Sequence, residues 1–253
     1  YDLLDERKTA ANKFADYINR YSKSTKIPML MQRQGELYAE LEDFSTAAKI
    51  LEKLSNTYPE SPQGKRALFT LARSMYNIER FSKAIATFNK ILDKKLTISV
   101  SNLKWVVKNM TETDADNKSN AGKLIVRAGQ ELERRLEKPE LSEWVGKDKA
   151  YALKGKPEET QTTIDQLRER LYFNIGLSAA EAGLSKEVFT YLGKVLANEN
   201  TPFIFKAGMA RADEYMKQKN WVLARQDLAK IGATAMTAQK TLVTLEVQTK
   251  TGD

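Results

Sequence analysis

Arg66, Phe69, Arg73, Tyr76 and Arg80 follow one another at separations of 3, 4, 3 and 4 residues. On a helix that spacing gathers all five along one side. Guanidinium groups alternating with aromatic rings offer forked planar donors for carboxylates and apolar faces for side chains. An acidic or C-terminal peptide segment suits such a surface. The local charge points the same way. Residues 62–108 hold ten Lys or Arg against two acids, so the net charge of +8 on the whole chain is concentrated there. Lys83, Lys90, Lys94 and Lys95 form a second basic strip just downstream. The same groups could neutralise phosphates, but a groove that tracks a nucleic-acid backbone needs cations along its length, and here one segment carries them. An anionic membrane fits less well, because no strongly amphipathic anchor helix accompanies the basic stretch; membrane association would be indirect.

Covalent and metal chemistry find little purchase. The chain has no Cys and no His, which removes thiol nucleophiles, disulfides, Cys/His zinc sites and every histidine-dependent triad. Ser101-x-x-Lys104 and Lys250-Thr251-Gly252 match fragments of a serine acyl-transferase signature, but that signature needs a sheet strand beside the nucleophile. Asp114 and Asp116 begin like a calcium loop, yet Lys118, Ser119 and Ile125 stand where further ligands and the turn glycine belong. Gly122-Lys123 lacks the glycine-rich run of a phosphate loop. Glu131 and Glu133, two apart on a helix, diverge rather than flank a cleft. No catalytic residue, metal site or cofactor is expected. The absence of cysteine suits an oxidising compartment without requiring one.

The elements that must hold the arginine–aromatic stripe come from an internal repeat. Counting Pro28 as position 1, positions 4, 8, 11, 20, 24, 27 and 32 carry Met31, Gly35, Tyr38, Ala47, Leu51, Leu54 and Pro59. A second copy starting at Lys65 places Leu68, Ala72, Met75, Ala84, Phe88 and Ile91 in the same frame. A third from Glu169 gives Tyr172, Gly176, Ala179, Val188, Leu192 and Val195, and a fourth from Phe205 gives Gly208, Ala212, Tyr215, Ala224, Leu228 and Ile231. Small residues at positions 8 and 20 let two antiparallel helices approach, larger ones fill the gaps between pairs, and the proline stops the second helix.

This frame resembles the tetratricopeptide repeat family over residues 1–96 and 160–247. The resemblance implies an all-α, right-handed superhelical solenoid of helix–turn–helix repeats with an irregular middle section. It also implies a concave surface lined by the first helix of each pair, into which positions 2, 5, 9 and 12 point. Arg66, Phe69, Arg73 and Tyr76 fall on those positions, and Arg170, Phe173, Lys206 and Met209 on the matching ones of later repeats. The family's carboxylate clamp is not reproduced: Gln32 and Glu36 in one repeat, and Phe69 and Arg73 in the next, replace its lysine and asparagine. Tyr58-Pro59-Glu60-Ser61-Pro62 is similar to linkers in bacterial cell-envelope members, including outer-membrane assembly lipoproteins and Tol–Pal coordinators. It implies a periplasmic setting, with the cytoplasm as the alternative.

Along the chain, residues 1–96 read as N-terminal repeats, 97–157 as a degenerate repeat with an insertion, and 158–253 as C-terminal repeats with a terminal helix, in one solenoid. Helices are expected over 5–22, 28–41, 43–57, 62–78 and 81–94, with Asp43 and Ser82 near their starts. The first resembles the second half of a truncated repeat, which implies a longer native protein. Residues 98–110, holding Trp105, read as a helix, and 111–120 as an extended loop. Leu124, Ala128, Leu132 and Leu136 mark a further helix, and 139–157 lacks clean periodicity. A long helix follows from 158 to 182, capped by Gly183, then helices at 185–197, 202–218, 221–231 and 235–248. No 18-residue apolar run occurs. The expectation is a non-catalytic scaffold that binds protein or peptide. The alternatives are the substrate-binding or regulatory region of a larger enzyme and a nucleic-acid-binding solenoid.

Overall fold

In the computed structural model, which describes residues 2–233, helices are joined by short turns and no strand occurs among the described residues. Helices α1 (Asp2–Arg20), α2 (Ile27–Glu40), α3 (Phe44–Thr57), α4 (Pro62–Asn77) and α5 (Phe81–Asp93) precede α6 (Val100–Asn109) and α7 (Lys118–Arg135). Two short helices, α8 (Leu141–Val145) and α9 (Lys147–Ala152), lead to the long α10 (Pro157–Ala182). Then come α11 (Ser185–Leu196), α12 (Ile204–Lys217) and α13 (residues 221–233). The helix expected at 235–248 lies outside the described residues. The chain divides into two compact units, one holding residues up to 105 with 112–124, the other 106–111 and the residues from 125 on.

In the first unit α1 packs on α2, α2 on α3, α3 on α4 and α4 on α5, and α2 also meets α4. That neighbour and next-neighbour pattern is the packing of stacked helical hairpins. The frame of small and large residues supplies the contacts. Ala47 and Ala84 have no accessible surface, and Leu51, Leu54, Phe88 and Ile91 are buried. A methyl group added to Gly35 would come inside 3.0 Å of the Leu51 side chain. Helix starts follow local chemistry: Asp43 accepts the Thr46 N–H at 3.0 Å, and Ser61 accepts the Gly64 N–H at 2.9 Å with Pro62 opening α4. Ser82 departs from expectation. It lies inside α5, behind Arg80 at the N-cap, and its hydroxyl donates to Asn117 at 2.8 Å.

The second unit repeats the scheme: α10 packs on α11, α11 on α12, and α10 also meets α12. A methyl group on Gly176 would press into Leu192 just as one on Gly35 would into Leu51. Gly129 of α7 accepts Ile175 of α10 at a similarly close approach. Arg211 of α12 grips Asp227 of α13 with two hydrogen bonds, at 2.7 and 2.5 Å. Leu228 is the exception to the frame at 39% exposure: Ile231 takes the place beside the position-8 glycine Gly208 that Leu51 and Leu192 take beside Gly35 and Gly176.

All four hairpins turn in the same way. Glu42, Glu79, Gly183 and Lys219 stand at position 15 of their repeats, and each has a positive φ, of 60°, 59°, 71° and 59°. In three of them the next residue's N–H bonds five residues back: Arg80 to Met75, Leu184 to Ala179 and Asn220 to Tyr215. This left-handed closure satisfies the last carbonyls of the first helix and reverses the chain.

The middle section is more helical than its sequence implies. The turn at 111–117 is shorter than the expected loop, because Asp114 accepts both the backbone and side-chain N–H groups of Asn117, at 2.9 and 2.7 Å, and α7 begins at the next residue. Within 139–157, α8 and α9 flank Gly146, whose φ of 85° separates them. Trp144 is buried and anchors α8.

Candidate partner-binding surface

Helix α4 places Arg66 and Arg73 on its solvent side and leaves Phe69 and Tyr76, each three residues after one of them, half-buried. The rings are half-buried because Trp105, on the part of α6 within the same unit, stands against them. Its ring centroid lies 6.1 Å from that of Phe69, 5.3 Å from Tyr76 and 5.9 Å from Phe88. The first two contacts are edge-on, with interplanar angles of 81° and 85°, the geometry that ring quadrupoles favour. The Arg73 guanidinium carbon sits 5.6 Å from the indole centroid, within cation–π range. Burial, and secondarily the negative charge of Glu112, push the Tyr76 hydroxyl above its ordinary pKa. Phe69 and Tyr76 therefore serve as walls that hold Trp105 upright, while Arg66, Arg73 and the open part of the indole face outward.

Arg80 is not part of this stripe. Helix α4 ends at Asn77, and the left-handed turn at Glu79 carries Arg80 to the N-cap of α5. The even 3-and-4 spacing continues through the turn in sequence, but the helix does not. Among the described residues no carboxylate pairs with Arg66, Arg73 or Arg80. Nearby lysines differ: Lys65 and Lys94 both reach Glu60, at 3.0 and 3.3 Å, and Lys83 reaches Glu52 at 3.4 Å. Two of the four lysines of the second basic strip, Lys83 and Lys94, thus have acidic partners within the fold, and the arginines do not.

In the second unit the expected residues separate. Arg170 is exposed on α10, whereas Phe173 is buried and stacks on Phe203 with centroids 4.3 Å apart. Lys206 and Met209 are both exposed on α12, where Phe205 and Met216 extend the apolar strip. A polar cluster not foreseen from the sequence joins three helices. Glu133 of α7 accepts from the Tyr191 hydroxyl at 2.8 Å and from the Lys194 ammonium at 2.6 Å, and that ammonium lies 4.4 Å from the Tyr172 ring centroid. Burial raises the Glu133 carboxyl, but Lys194 and Tyr191 outweigh it and hold the group below the usual carboxylate range. Burial and the Glu133 contact push the Tyr191 hydroxyl well up. These contacts tie α7, α10 and α11 together.

Trp105 is the surface residue that reasoning from α4 alone overlooks. Its signal was available: first helices of successive repeats lie side by side, as α2 and α4 do, so an aromatic residue on α6 is positioned to meet α4. Among the described residues no group of three or more Asp, Glu, Cys or His side chains could hold a metal, and no helix is long and apolar enough to cross a membrane.

Stacked hairpins with a shared small–large packing frame define an all-α helical-repeat protein of the α-solenoid type. Residues 30–61 and 66–94 match the family model for the tetratricopeptide repeat, covering α2 through α5. No curated protein matches the chain. Tetratricopeptide repeats support a scaffold for protein–protein interaction.

Proposed function

We propose that the chain is a non-catalytic scaffold that seats a segment of a partner protein against α4 and Trp105. The observation that carries this is the unneutralised pair Arg66 and Arg73 beside a half-open indole, on a matched repeat whose lysines mostly have internal partners. A segment bearing carboxylates and an apolar side chain complements that surface. Lys206 and Met209 give the second unit an exposed strip of its own. Rigid helices hold these groups before the partner arrives, so little ordering entropy is lost on binding. The Tyr58–Pro62 linker favours a bacterial cell-envelope setting for assembly or coordination work.

Capture from native extract tests the reading, with the unaltered chain and the double variant Arg66→Glu/Arg73→Glu in parallel. Both side chains are exposed, so the variant should keep its helical melting curve. The expected outcome is a protein retained by the unaltered chain and lost with the variant. Equal retention would contradict it. Fractionation of the tagged native protein tests the setting, and recovery with cytoplasmic markers alone would reject it.

A further inference from the structure

Arg66 and Arg73 constrain the spacing of what they receive as well as its sign. They are seven residues apart on α4, about 10 Å of rise at roughly 1.5 Å per residue. A chain in the polyproline II form advances about 3.1 Å per residue and presents the same side every third residue. Carboxylates three residues apart on such a chain therefore face one way, about 9 Å from each other. On a β-strand the same pair would face opposite ways. Polyproline II segments also dock on aromatic surfaces, because their shape needs no ordering on arrival. Trp105 supplies such a surface beside Arg73, and its edge-on contacts with Phe69 and Tyr76 hold the indole upright. Its cation–π contact positions the Arg73 fork in advance.

We infer that this face reads an acidic-x-x-acidic segment bound in the polyproline II form along α4, with one intervening side chain resting on Trp105. The inference rests on the reading of α4 as the partner-binding face. It adds the register of the occupant and makes Trp105 a specificity-determining residue.

Fluorescence anisotropy with the full chain and short labelled peptides tests it. Three cores are compared in one flanking sequence: Glu-Pro-Leu-Glu, its isostere Gln-Pro-Leu-Gln, and Glu-Glu-Pro-Leu with the same charge in the wrong register. The spaced acidic peptide should bind about tenfold more tightly than the Gln isostere and about threefold more tightly than the adjacent-acid peptide, as expected for two charge-assisted contacts at a partly exposed site. Arg66→Gln and Arg73→Gln should each erase the preference for the spaced peptide. Trp105→Ala should weaken that peptide while leaving its salt dependence unchanged. Trp105→Tyr, which preserves a ring in the cluster, should restore part of the affinity and guards against simple unfolding. Equal binding of the three peptides, or of the spaced peptide to the arginine variants, overturns the inference. So does tighter binding of a labelled single-stranded oligonucleotide. If the peptides fail while Arg66→Glu/Arg73→Glu still releases the captured partner, the register is wrong and the face stands. If release fails as well, both fall.

Discussion

Gly35 and Gly176 occupy the same place in two repeats, and each faces a leucine at a distance that no side chain could share. Gly35→Ala and Gly176→Ala should each destabilise their unit by about 1–3 kcal/mol through overpacking, measured by urea unfolding. Gly193→Ala is the control. The nearest atom to its added methyl group would be the tip of Arg211 at 3.4 Å, an ordinary contact distance that needs no movement, so helix propensity should make the change neutral or stabilising by up to about 1 kcal/mol. Glu133 gives a second test at this scale. Its folded pKa lies below the ordinary value because Lys194 and Tyr191 outweigh its burial. Its contribution is therefore complete above the unfolded pKa of about 4.3 and is lost as pH falls through the lower folded value. Acid unfolding of Glu133→Gln followed by circular dichroism should show a shallower loss of stability over that window. An unchanged acid limb would remove Glu133 from the account.

The hairpin turns make the prediction for the elements. Glu42, Glu79 and Lys219 hold a left-handed backbone that Gly183 holds without a side-chain penalty. Glu79→Gly should stabilise by about 0.5–1 kcal/mol and Gly183→Ala should cost about 1 kcal/mol, opposite signs at one repeat position. Thermal melts of the two variants check this, and a destabilised Glu79→Gly would contradict it. Most helix positions could be read from the sequence to within a residue or two, because Ala47, Leu51, Ala84 and Phe88 recur at helical spacing and Pro62 and Gly183 mark ends. The helices α8 and α9 could not. Each is under two turns, too short to show a period, and Trp144 anchors α8 by a tertiary contact. The shortened turn before α7 depends on the Asp114 side chain, which the polar run 111–120 does not single out from its neighbours.

At the scale of the molecule, a net charge of +8 concentrated in residues 62–108 would be a solubility feature if acids nearby balanced it. Lys65, Lys83 and Lys94 have acidic partners, and Arg66 and Arg73 are left to face outward. That distinction needed coordinates, since sequence counts treat Lys94 and Arg73 alike, and Arg80 joins the stripe in spacing although a turn removes it. Phe173 shows the same limit, because a side chain on an inward-facing position can be used up by a ring such as Phe203. Partner affinity should fall as NaCl rises past physiological strength, where the Debye length drops below about 8 Å, and the decline should flatten in Arg66→Glu/Arg73→Glu. The most direct measurement is site-specific photocrosslinking of the captured partner. A benzophenone side chain at Gln63, one turn before Arg66 on α4, should join to a partner peptide containing acidic residues, whereas one at the exposed Lys49 of α3 should not. Crosslinks from Lys49 with none from Gln63 would show that the partner lies elsewhere.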